Sequence, residues 1–215
     1  MKKPLTMEQA RALGAALAAR HGARILHPED TIPSALRAAL VAAKQLAPAV
    51  EPIARAVLAH LDRVSVTLPM PGETWIILSP AACADPVIYL SVVAHELQHA
   101  VQIERRGRVG VAVDYLLSSE LRADQECEGY GVGLTMRWLM TGDLPSLDAP
   151  LASLSSGTYH LDAADLVLSE GLLRTYIDTM AGWLLPNLTI AVEAYRWLKE
   201  YAADTLAVTL AAEPA

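Results

Sequence analysis

Phenylalanine is absent from this chain, and aromatic residues make up only 5% of it. That scarcity disfavours extensive sheet, while the dominance of Ala and Leu, which lose least on entering a helix, points to a mainly α protein. Cysteine is equally scarce. Cys83 and Cys127 are too few for a disulfide framework, which fits a reducing cytoplasm. Positive charge is in deficit, with a formal net charge of -7 and no long basic run, so a nucleic-acid surface is not expected. No run of about eighteen apolar residues is free of charge, so no transmembrane span is expected either. Lys2 and Lys3 imitate the start of a signal peptide, but Glu8, Arg11 and Arg20 interrupt the apolar run that would have to follow, and an amphipathic helix fits better.

The stretch that stands out is Asp85 to Gly107, DPVIYLSVVAHELQHAVQIERRG. It reads as one helix with both ends marked. Asp85 suits the N-cap, Pro86 the first helical position, Arg105 and Arg106 the negative end of the helix dipole, and Gly107 a C-terminal cap. Within it, His95 and His99 lie four apart and project from one face. Two neutral imidazoles so placed can grip one zinc ion, with Glu96 beside them as the base for a zinc-activated water.

Around this helix the coarse reading is as follows. Thr6 caps a helix running to about Arg20, Ala23 to Leu26 form a short strand, and two further helices lie near 34–46 and 52–62. His21, His27 and His60 read as surface or core histidines rather than ligands. Val64 to Leu68 alternates apolar and polar residues, and Thr74 to Leu78 is rich in strand formers. The turn composition of 69–73 between them predicts a β-hairpin. Thr74 to Leu78 is then expected to line a groove and pair with an extended peptide, the alternative being a hairpin that merely covers the helix. A short connection, 108–113, precedes a helix from about Asp114 to Met140, whose Gly129, Gly131 and Gly133 mark either close packing or a break. Residues 141–158 read as a long loop, followed by helices near 161–185 and 186–211.

A catalytic zinc takes three protein ligands and keeps one position open. The candidates for the third are Glu120, Asp124, Glu126 and Glu128, with His160 more distant. A third histidine of the metzincin type is excluded, because Gln102 and Arg105 stand where its glycine and histidine would be. Glu120 and Asp124, four apart, share a helix face; Glu120 is assigned as ligand and Asp124 as the hydrogen-bond partner of a ligand histidine. On an ideal helix Glu126 points about 240° away from Glu120, and Glu128 lies about 12 Å further along the axis. Tyr159 and His160 are the candidates for stabilising a tetrahedral oxyanion, with Tyr130 and Tyr176 as alternatives.

The HExxH followed by Glu120-Leu121-Arg122-Ala123-Asp124 resembles the gluzincin metallopeptidases, and within them the branch of the CAAX prenyl proteases and heat-shock membrane proteases. The likeness covers about residues 86–135, and the chain lacks that branch's membrane spans. The resemblance implies zinc at His95, His99 and Glu120, with Glu96 as general base and a peptide or protein as substrate. The fold expected is mainly α with a small hairpin or sheet, a zincin-like α+β core around the HExxH helix. It would be one domain over 1–215, with a helical part at 1–62, the hairpin and metal helices at 63–140, and a loop with C-terminal helices at 141–215. The expected function is a zinc-dependent peptidase in the cytoplasm. The alternative is a metal-stabilised, inactive relative that acts by binding a partner.

Overall fold

Asp85 accepts hydrogen bonds from the backbone N–H groups of Val87 and Ile88, and Pro86 opens the helix that follows. The computed structural model describes residues 3–30, 65–70, 72–156 and 159–211. In chain order its helices are α1 (Met7–Arg20), α2 (Pro86–Arg106), α3 (Arg108–Leu117), α4 (Ser119–Thr141), α5 (Asp148–Ser155), α6 (Ala163–Ala181) and α7 (Thr189–Tyr201). The strands are β1 (Ala23–Leu26), β2 (Val66–Pro69) and β3 (Thr74–Ile77). The protein is therefore mainly helical with one small sheet. The helices expected near 34–46 and 52–62, with His60 and Val64, lie outside the described residues.

Helix α2 runs through the middle of the packing. Tyr89, Leu90, Val93, Ala94, Leu97 and Val101 are buried on it and join a core shared with Leu13 and Leu17 of α1, Val132, Met136 and Trp138 of α4, and Ile190 and Leu198 of α7. It ends at Gly107, whose φ of +75 is a conformation other residues rarely adopt. His21, the C-cap of α1, fastens three helices, with Nδ1 and Nε2 each 3.1 Å from a carboxylate, Glu104 of α2 and Glu193 of α7. His27 stacks on Tyr89. Neither histidine belongs to the group of His95, His99 and Glu126 described below.

The hairpin forms, with β2 antiparallel to β3 in the register Val66–Ile77 to Pro69–Thr74. β1 pairs parallel to β3 on its other side, so the order is β1-β3-β2. This corrects the expectation for Thr74 to Leu78: β3 is the central strand, and its backbone groups are spent on two neighbours. Among the described residues the edge strand nearest the HExxH helix is β2. One face of the sheet sends Ile76 into the main core, and the other carries a small cluster around Leu26 and Ile77.

The helix expected from Asp114 to Met140 is two helices. Ser118, in extended conformation, separates α3 from α4 and caps α4 by accepting from Leu121 N–H. The region 141–158 is not wholly loop, because it contains α5. The two closing helices are shorter than expected: α6 stops at Gly182, and after α7 a short 3-10 turn leads into chain that bonds back to Leu139 and Trp183. Among the described residues no helix is long and apolar enough to cross a membrane.

Candidate metal centre

The glycines of α4 decide which of its faces meets α2. A Cβ on Gly129 would lie 2.9 to 3.0 Å from three atoms of the His95 ring, and one on Gly133 would lie 2.9 Å from the Ser91 carbonyl oxygen. These two positions, four apart, let the helices approach until side chains of α4 reach the HExxH face. Gly131 receives the Tyr176 ring on another face. The three glycines therefore serve close packing, and α4 is continuous through all of them.

Three residues before Gly129, on the same stripe, stands Glu126. Its carboxylate lies 3.5 Å from His95 Nε2 and 3.8 Å from His99 Nε2, and the two Nε2 atoms are 3.1 Å apart. The candidate ligand atoms of His95, His99 and Glu126 all lie within 4.8 Å of one another, so this buried cluster can hold a metal ion. A tetrahedral ion with ligands at about 2.0–2.1 Å would set them roughly 3.3–3.4 Å apart, and the observed spacings bracket that value. Glu126 Oε2 is fully buried and has no hydrogen-bond partner among the described residues. A buried carboxylate oxygen left so is costly, and a cation between it and the imidazoles removes the cost.

This corrects the assignment of the third ligand. Glu120, six residues before Glu126, is exposed and faces away, as the helical phase requires once Gly129 is against His95. Asp124 does not bond a ligand histidine; its Oδ2 lies 3.6 Å from Arg106 Nη2. The sequence does not single out Glu126, because Glu126 and Glu128 each stand three residues before a glycine, Gly129 and Gly131, and only the packing shows that Gly129 is the one against His95.

The groups that orient the cluster come from three elements. Gln102 Oε1 lies 2.8 Å from His99 Nδ1, while Gln102 Nε2 donates to the Gln125 carbonyl oxygen and to Glu128 Oε2. Two acceptors claim the amide nitrogen, so the amide oxygen must face the imidazole. His99 Nδ1 then carries the hydrogen, and its Nε2 presents a lone pair to the cluster. From α3, the Tyr115 hydroxyl donates to Glu126 Oε1 at 2.8 Å. From β2, the Thr67 hydroxyl faces both the Glu96 carbonyl oxygen at 2.9 Å and Glu96 Oε2 at 2.8 Å, so this carboxylate, buried like Glu126, has a fixed direction.

Charge in the cluster is shared. Burial raises the Glu126 carboxyl, but His99 and His95 outweigh it and hold the group below its ordinary range. Burial lowers His95, but Glu126 and then Glu96 outweigh it and raise the imidazole above its ordinary range. Burial raises Tyr115, Tyr130 and Tyr159, and all three keep their protons.

Of the two residues expected to face an oxyanion, the structure brings one near. The Tyr159 hydroxyl lies 3.3 Å from that of Tyr130, whose ring stands edge-on to His95 with centroids 4.7 Å apart. Tyr130 in turn donates to Ser153 on α5 at 2.6 Å. The His160 side chain is exposed, and its contribution is a backbone one: its carbonyl oxygen and that of Tyr159 accept from Arg122. Arg122 also donates to the Tyr115 carbonyl oxygen and lies over the Tyr115 ring. It thus ties both tyrosine-bearing segments to α4. Tyr176 packs on Gly131 instead. Gln102, Tyr115 and Thr67 are the participants that residue type and spacing did not disclose. No family model matches the chain, and no curated protein or solved structure matches it.

Proposed function

We propose that this protein is a zinc-dependent hydrolase acting on peptide bonds, with a zincin-like centre made of His95, His99 and Glu126. The observation that carries the reading is the convergence of two imidazole nitrogens and one unpartnered, buried carboxylate oxygen beside Glu96. Two nitrogens and a carboxylate suit zinc, and three protein ligands leave one position open. A zinc ion held there would supply a Lewis acid that makes water a nucleophile near neutral pH and polarises a carbonyl.

The chain's own residues take the remaining parts. Glu96, aimed by Thr67, accepts a proton from the attacking water and delivers it to the leaving nitrogen. Gln102 keeps the His99 lone pair turned inward. The Tyr159 hydroxyl keeps its proton and, because Tyr130 donates to Ser153, donates it to Tyr130; it serves a developing oxyanion by turning that hydrogen from Tyr130 to the substrate oxygen. β2, the edge strand nearest the HExxH helix among the described residues, adjoins Glu96 through Thr67 and suits an extended substrate added to the sheet.

The decisive experiment measures metal content and peptide-library hydrolysis for the purified wild type and Glu96→Gln. Zinc in both, with hydrolysis in the wild type alone, is the expected result. Zinc binding with no cleavage by the wild type under any condition would overturn the hydrolase reading in favour of a metal-stabilised binding protein.

A further inference from the structure

We propose that Pro69 makes β2 read a substrate backbone unevenly. Both main-chain groups of one substrate residue are bonded, and only the N–H of the residue two before it. The inference rests on the reading of β2 as the strand that a substrate extends.

The register decides which groups of β2 are free. Met70 N–H donates to the Glu73 carbonyl oxygen. In an antiparallel ladder the bonded pairs recur at every second residue, so Leu68–Trp75 and Val66–Ile77 are the next ones. The other side of β3 agrees. Thr74 N–H donates to Gly22 and Leu78 N–H to Leu26, so the even-numbered residues of β3 serve β1 and the odd-numbered ones serve β2. Thr67 and Pro69 therefore turn their backbone groups away from β3, to the outer edge of the sheet.

β2 itself presents three groups at that edge: Thr67 N–H, Thr67 C=O and Pro69 C=O. Pro69 is exposed and has no N–H to offer. A sheet tolerates proline at such a place, on an edge with its nitrogen outward. The missing donor blunts the edge against continuous pairing with a long strand, a second copy of this chain included. What remains suits a short peptide, and it lies beside the candidate base, since the Thr67 hydroxyl is 2.8 Å from Glu96 Oε2.

Antiparallel addition is the slightly more stable arrangement, and in it the substrate residue opposite Thr67 exchanges two bonds with it. The residue opposite Pro69 comes two earlier, because the strands run in opposite directions. Its N–H reaches the Pro69 carbonyl oxygen, and its own carbonyl meets no donor. Substrates with proline at either of these two alternate positions are thus rejected, while β2 does not reject proline at the residue between them.

The test uses the whole Glu96→Gln protein with zinc present, which leaves the peptide intact. The tightest-binding peptide of a library is remade with an ester oxygen in place of each N–H in turn. Each ester removes one donor and weakens the carbonyl before it as an acceptor. Affinity should fall about two- to tenfold at two residues two apart, the worth of one hydrogen bond, and less at the residue after the second. Adding Pro69→Ala alters an exposed residue and supplies the missing N–H. The parent peptide should then bind about two- to tenfold tighter, and the ester at the middle residue should abolish that gain. Absence of any binding, a scan without alternation, or no gain from Pro69→Ala would overturn the proposal. So would a weaker loss lying before the pair, the mark of parallel addition. The wild type is assayed for cleavage of the same peptide. Alternation without cleavage keeps this inference and sinks the hydrolase reading, and cleavage without alternation does the reverse.

Discussion

Gly129 of α4 lies so close to His95 of α2 that a Cβ there would come within 2.9 Å of the ring nitrogen Nε2. The absence of a side chain at one position therefore sets the seat of a histidine on another helix. Gly129→Ala should displace the His95 ring and lower zinc affinity by roughly tenfold or more, as a crowding cost of about 1–3 kcal/mol implies. Gly171→Ala is the control, because a Cβ there meets nothing within 4 Å. It should raise stability by up to about 1 kcal/mol through helix propensity and leave zinc binding alone. Calorimetry and zinc titration on both variants check this; equal zinc affinity in the two would show that the contact does not govern the site.

The third ligand is settled by comparing two acids of α4. Glu126→Ala should remove most of the bound zinc, and Glu120→Ala should leave occupancy at the wild-type level. Elemental analysis reads the difference. The reverse ranking would restore Glu120 as the ligand.

Gln102 should act on metal binding through His99. Gln102→Ala should cost about ten- to a hundredfold in zinc affinity, the usual loss when a group orienting a ligand histidine is removed. Gln102→Glu keeps an acceptor for His99 Nδ1 but loses the donor to Glu128, so it should fall between alanine and wild type if orientation of the imidazole is the essential role. Indistinguishable affinities in all three proteins would refute the role.

Thr67→Val should preserve zinc and slow hydrolysis, because Glu96 loses the hydroxyl that holds its Oε2. The expected loss is smaller than the several orders of magnitude expected for Glu96→Gln, which removes the base itself. The two variants are compared by kcat at saturating peptide. A Thr67→Val enzyme as slow as Glu96→Gln would mean that the hydroxyl takes part directly in the chemistry.

Acid should release the metal. Zinc requires both imidazoles unprotonated, and His95 is held above its ordinary range because Glu126 and Glu96 outweigh the effect of burial. A raised pKa means that protons compete from a higher pH downward, so zinc affinity should begin to fall above the ordinary imidazole value of about 6.5. Competition titrations with a chelator across the neutral range measure this. Affinity that stays flat until well below that value would show that His95 is not held so.

Much of the local architecture was legible along the chain. Thr6, Asp85, Pro86 and Gly107 announced two helices within a residue of their ends, because caps act through backbone groups only a few positions away. The hairpin was legible for the same reason, its alternation and turn both being local. So was the HExxH face, since four residues along a helix bring two side chains together whatever surrounds them. The strand order was not. β1 is distant from β3 in sequence, and no local signal says that it takes the far edge and leaves β3 in the centre.

The sequence by itself determined that two histidines and a glutamate would share one helix, and it offered several acids of a later helix, with His160 more distant, as the residue that could join them. Only tertiary packing decided which acid. The phase of α4 against α2 follows from where two helices can come closest, and Gly129 and Gly133 place that line on the stripe of Glu126. Gln102, Tyr115 and Thr67 joined the site for the same physical reason: a hydrogen bond in a buried site depends on distance in space, which helix crossings and strand pairing fix and linear spacing does not.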